Sequence, residues 1–145
     1  MAATERGHLV APCGIDCGNC ALHLSGGNPA LMERLRARGI PQEKLPCAGC
    51  RDVKGDCPVL AQTCETYQCV VQRGVTFCHE CVDFPCSRLC PSSDRADVLP
   101  HNLKLFNLCT IQRSGVDAFT KVSAELERVY FRGKMQVGRG PRLEA

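Results

Sequence analysis

The chain has no tryptophan, two tyrosines and five phenylalanines among its 145 residues. So few aromatics leave little material for a large apolar core. Hydrophobic residues make up 44% of the chain, but 13 of them are cysteines, so the hydrocarbon share is smaller than that figure implies. Another source of cohesion is expected. Long apolar runs are missing too. None approaches the roughly 20 residues that a membrane-spanning helix needs, so no membrane partner is expected. Met1–His8 carries charges and a glycine instead of an apolar stretch, and the expectation is that it is no secretory signal. At 145 residues the chain has the length of one domain and falls short of the roughly 250 residues of a (β/α)8 barrel.

The usual catalytic constellations are also missing. There is no Ser/His/Asp set and no pair of carboxylates with a spacing that argues for acid–base work. Gly133, Gly138 and Gly140 do not make a phosphate-binding turn between a strand and a helix. The expectation leans away from an enzyme, and no small-molecule substrate is identifiable.

Positive charge is scarce where a nucleic acid would need it. The net charge is +3, from 18 Lys+Arg against 15 Asp+Glu. Arg132, Lys134, Arg139 and Arg142 against Glu144 supply the whole excess, so residues 1–129 sum to zero. Eight thiolates around two dications would leave the body at about −4. A nucleic-acid partner is therefore not expected, and the basic end reads as a solvated tail at residues 131–145.

What is abundant is cysteine, at positions 13, 17, 20, 47, 50, 57, 64, 69, 78, 81, 86, 90 and 109. Thirteen is odd, so disulfides cannot pair them all. Without a secretory signal the expected setting is the reducing cytoplasm, where dense cysteine means metal. Four clusters carry that chemistry: Cys13-x3-Cys17-x2-Cys20, Cys47-Ala-Gly-Cys50, Cys64-x4-Cys69, and Cys78-His-Glu-Cys81-Val-Asp-Phe-Pro-Cys86. Two residues between cysteines let both sulfurs converge on one ion, and glycine permits the close approach.

The metal stays open between two classes. Zinc takes two separated pairs tetrahedrally, and Cys47/Cys50 and Cys78/Cys81 suit it. Iron–sulfur clusters take close triplets with a remote fourth cysteine. The first and fourth clusters are triplets, and Cys86-x3-Cys90-Pro91 copies the end of a ferredoxin run, although the spacing before it differs. The C-x3-C-x2-C triplet is also the spacing of radical S-adenosylmethionine enzymes. Those need a large barrel around the cluster, and too little chain follows Cys20 to build one.

Helices are expected from Asn28-Pro29 to Gly39, from Pro58 to Gly74 with Leu60, Cys64, Tyr67 and Val71 on one face, from about Pro100 to Arg113, and from about Asp117 to Val129. Gly115 should separate the last two. A short strand or hairpin is expected between Val129 and Val137. The fold class expected is a small, metal-stabilised, mainly α domain with irregular cysteine-rich loops and C-x-x-C knuckles. It would be one domain, with a metal-binding body at 9–93 and a helical part at 94–130 ahead of the tail. Cys109 reads as a buried structural thiol on an apolar helix face, and His23, His79 and His101 read as bystanders. Asp16, Glu80 and Asp83 read as acids that face solvent or cap N–H groups.

The run from Pro12 to Cys20, the Cys47-Ala-Gly-Cys50-Arg51 knuckle and the Cys78-to-Cys86 block together resemble the cysteine-rich family catalogued as domain of unknown function 3795. The resemblance runs over roughly residues 11–120. It implies a metal-binding domain of bacteria and archaea, and implies nothing about mechanism. Carried over, it implies a ligand set of Cys13, Cys17, Cys20, Cys47, Cys50, Cys64, Cys69, Cys78, Cys81 and Cys86, with Cys57, Cys90 and Cys109 as additions of this chain. The function expected is a zinc-binding module holding two ions and docking on a protein partner. The alternative is an electron-transfer subunit or small redox protein with one or two [4Fe–4S] clusters.

Overall fold

The computed structural model describes residues 4–89, 95–134, 138 and 143. It is mainly helical: α1 spans Glu5–His8, α2 Ala21–Leu24, α3 Pro29–Ala37, α4 Glu65–Arg73, α5 His101–Ser114 and α6 Val116–Arg132. Single 3-10 turns sit between them, at Cys17–Asn19, Ser25–Gly27, Gln42–Lys44, Cys78–Glu80 and Ser87–Leu89. Among the described residues the β structure is one isolated bridge, Val10 to Asp16.

Local chemistry accounts for the helix ends. Asn28 caps α3, its side chain accepting from Leu31 N–H at 3.0 Å, with Pro29 in the first turn. Gly74 closes α4 in the left-handed conformation, φ 66°, and Val75 N–H bonds back to Val70 C=O at 3.2 Å. Gly115 (φ 83°, ψ 159°) forms the corner between α5 and α6. Its N–H closes α5 on Ile111 C=O at 2.8 Å, and its C=O opens α6 by accepting from Phe119 N–H at 3.1 Å.

Two expectations are corrected. The second helix begins at Glu65, not Pro58. Cys64 N–H bonds Gly55 C=O at 2.9 Å and so closes a loop instead of continuing a helical ladder. Leu60, expected on a buried helical face, is exposed. At the other end no strand starts at Val129, because α6 runs on to Arg132; the rest of that stretch, from Met135 to Val137, lies outside the described residues.

The core joins the two parts of the chain. Val10, Val70, Phe77, Cys78 and Leu89 from the cysteine-rich body pack with Leu108, Ile111, Phe119 and Leu126 from α5 and α6. A buried polar cluster ties the same parts together. The Asp16 carboxylate accepts two bonds from the Arg6 guanidinium and one each from Gly18 N–H (2.9 Å) and Ser123 Oγ (2.5 Å). Asn19 Nδ2 adds a bond to Ser123 Oγ at 3.2 Å. Beside this cluster the Glu127 carboxyl has a raised pKa, first through burial and second through the negative charge of Asp16.

Candidate metal centre

Cys69, Cys78, Cys81 and Cys86 line one small cavity of about 30 Å³, together with Val70, Val75, Phe84 and Leu89. Three elements deliver them. Cys69 stands on α4. Cys78 opens the 3-10 turn and Cys81 closes it, its N–H bonding Cys78 C=O at 3.1 Å. Cys86 precedes the Ser87–Leu89 turn, with Leu89 N–H on Cys86 C=O at 3.0 Å. Glu80 holds the knuckle from outside, its carboxylate accepting Thr76 N–H at 2.6 Å and Phe77 N–H at 3.1 Å. Cys78 N–H bonds Pro12 C=O at 2.9 Å, which fixes the knuckle to the first cysteine run.

The rim is basic. Arg73 donates to Cys81 Sγ at 3.3 Å and pairs with Asp83 at 2.5 Å. Arg88, which also lines the cavity, pairs with Glu65 at 2.7 Å. Burial acts on the thiols inside. It pushes the Cys78 thiol up to about 12, and the neighbouring Cys13, Cys86, Cys69 and Cys81 add to the rise.

A second group of cysteines gathers where the first run meets the Cys47–Cys50 knuckle. Cys47 N–H bonds Leu22 C=O at 3.0 Å, and His23 Nδ1–H donates to Cys47 C=O at 2.8 Å. Cys50 N–H donates to Cys17 Sγ at 3.4 Å. The His23 N–H bonds Cys20 C=O at 3.0 Å. Gly49 sits at φ 109° in the knuckle, a conformation that glycine tolerates without strain. Burial pushes Cys17 up to about 12, opposed by the Cys50 N–H and reinforced by Cys20, Cys13 and Cys47. Cys50 is raised in the same way, with Cys13 and Cys17 as the first charged neighbours.

The remaining cysteines lie outside the cavity lining and the two knuckle pairs, although Cys13, Cys57 and Cys64 are charged neighbours of Cys50. Cys13 packs against the core, where burial raises its pKa and Lys104 opposes the rise. Cys64 caps the start of α4 rather than lying on its face. Cys57 is half-buried, and its C=O accepts from Leu60 N–H at 3.0 Å. Cys109 is half-buried on α5, not fully buried. Cys90 lies outside the described residues. His79 stacks on Phe77 at 5.7 Å, and its Nε2 is buried without a hydrogen-bond partner among the described residues. Of the three acids, Glu80 and Asp16 cap N–H groups and Asp83 faces solvent as expected, and Asp16 is also buried. As the side chains stand, no three His, Cys, Asp or Glu groups among the described residues are placed to hold a metal ion.

Two residues that sequence reasoning passes over shape both groups. Arg73 is the sulfur donor described above. Arg51 follows Cys50, bonds Val10 C=O (2.9 Å) and Thr76 C=O (3.0 Å), and lies over the Phe77 ring at 4.8 Å. It therefore clasps the loop that leads into Cys78. The only sequence signal is a lone arginine after a knuckle, which composition cannot distinguish from a surface charge.

Compared with known families, residues 9–91 match the family described as "Protein of unknown function (DUF3795)". The chain belongs to this family. The match holds both cysteine groups and stops short of α5 and α6, so it is narrower than the span expected from the motifs. No curated protein and no solved structure matches the chain. No described helix is long and apolar enough to cross a membrane.

Proposed function

We propose that this member of the DUF3795 family is a zinc-binding module, with Cys69, Cys78, Cys81 and Cys86 as the ligands of one ion and a protein as its partner. The observation that carries the reading is the cavity lined by those four side chains from three separate elements. Four thiolates suit tetrahedral zinc, and a four-sulfur set leaves no open position for a reacting water. That chemistry favours a structural ion over a catalytic one. Arg73 would stabilise the excess negative charge of the filled site. Val82, in the loop between Cys81 and Cys86, is 93% exposed, and Val71 on α4 is also exposed. These two segments are where a protein partner would dock. Ligands that must be reduced thiols favour a reducing compartment such as the cytoplasm.

Anaerobic purification followed by metal and acid-labile sulfide analysis tests the proposal. The expected product is colourless, contains zinc and no sulfide, and loses about one ion per chain in the Cys78→Ser variant. Cys109→Ser should leave the metal count unchanged. A brown protein containing iron and sulfide would replace zinc by the [4Fe–4S] alternative. Full zinc content in Cys78→Ser would refute the site.

A further inference from the structure

Resting on that metal reading, we propose that Cys17, Cys20, Cys47 and Cys50 form a second four-thiolate site, separate from the cavity at Cys69, for a soft divalent cation of the zinc class. The ten cysteines implied as ligands exceed the eight that two tetrahedral ions need, and the sequence does not say which eight serve or how they group. The backbone supplies a grouping. Cys17-x2-Cys20 and Cys47-x2-Cys50 are two knuckles of the spacing zinc favours, from segments far apart in the chain, and three hydrogen bonds join them. Cys47 N–H to Leu22 C=O (3.0 Å) and His23 Nδ1–H to Cys47 C=O (2.8 Å) set the second knuckle beside Cys20. Cys50 N–H to Cys17 Sγ (3.4 Å) sets it beside Cys17. Backbone N–H donation to sulfur, here from Cys50 to Cys17, also stabilises the thiolate that a cation requires.

Cys13, Cys57 and Cys64 also stand near this group, as charged neighbours of Cys50. The two C-x2-C pairs are chosen over them for their spacing and for the hydrogen bonds that join their backbones. Arg51, next in sequence to Cys50, remains beside the group while its guanidinium is held by Val10 C=O and Thr76 C=O. It offers positive charge to offset an anionic tetrathiolate. On binding, four S–H groups give four protons to solvent, and one dication with four thiolates leaves a net −2 at the site. The side chains are not arranged around an ion as they stand. The knuckle backbones are fixed by the bonds above, and side-chain rotation is the movement that binding asks for.

Titration of the reduced, metal-free full chain with Co²⁺ alone, followed by its thiolate charge-transfer absorption, tests the grouping. Wild-type protein should take up two equivalents. The Cys17→Ser/Cys47→Ser double variant should take up one, and so should Cys78→Ser/Cys81→Ser. Cys57→Ser should keep both. Because a double variant could misfold, cadmium NMR of the unaltered protein provides the same answer independently. Two resonances are expected, one coupled to the β-protons of Cys17, Cys20, Cys47 and Cys50, the other to those of Cys69, Cys78, Cys81 and Cys86. A single equivalent that disappears only in Cys78→Ser/Cys81→Ser would overturn this site and leave the cavity site standing. No uptake by the wild type would overturn both. One resonance coupled to cysteines of both groups would overturn the grouping.

Discussion

Asp16 stands between two cysteines of the first run, yet its work is to join that run to α1 and α6 through Arg6, Gly18 and Ser123. Its side chain is 2% exposed and that of Arg6 37%, so losing the carboxylate strands the Gly18 N–H and the buried Ser123 hydroxyl while Arg6 keeps access to solvent. Asp16→Ala should therefore lower the stability of the folded chain by about 3 kcal/mol. Urea unfolding of the metal-loaded variant against wild type checks this, and a loss below the scatter of the fit would show the cluster to be incidental. The sequence marks Asp16 as an acid beside a knuckle, which covers its bond to Gly18 N–H but not its burial. Burial depends on Arg6 and Ser123, ten residues before it and 107 after it, and no local pattern encodes such a meeting. Arg73 and Arg51 escape notice for the same reason. The cysteines themselves are legible because knuckle spacing is local.

At the level of elements, legibility follows the strength of local punctuation. Asn28-Pro29 and Gly39 bound α3, and Gly115 splits α5 from α6, because each acts within a few residues of itself. The start of α4 is misread because an apolar spacing of 3.6 continues back through Leu60, while the bond from Cys64 N–H to Gly55 C=O closes a loop there. The end of α6 is misread because β-branched and aromatic residues near Val129 and Tyr130 resemble a strand; the helix instead persists to Arg132, beyond the buried Leu126. Gly115 offers a direct check on an element boundary. A Cβ there would meet no atom within 4 Å, so Gly115→Ala carries only the backbone strain of φ 83°, ψ 159°. The expected cost is about 1–3 kcal/mol, read as a lower thermal midpoint with unchanged helical circular dichroism at low temperature. An unchanged midpoint would mean that the corner can be made in another conformation.

For the whole molecule, the shortage of aromatics and the surplus of cysteine describe one physical situation. The core is real but small, with Phe77 and Phe119 the aromatics among its buried members. The loops at residues 47–57 and 75–89 rest on turns and single hydrogen bonds rather than on long helices. A structural zinc in a thiolate site contributes on the order of 10–16 kcal/mol in small peptides, comparable to the whole stability of an ordinary domain. Metal would therefore organise the loops, while α5 and α6 supply the longest helical surface. The charge distribution is consistent with this division. A body that sums to zero before metal becomes anionic once eight thiolates hold two dications, and the basic residues after Val129 carry the opposite sign. The measurement that tests the central claim most directly is X-ray absorption at the metal edge of the anaerobically purified full chain. The expected result is zinc with a shell of four sulfurs at about 2.3 Å. A shell of oxygen and nitrogen without sulfur, or protein that retains no metal, would contradict it.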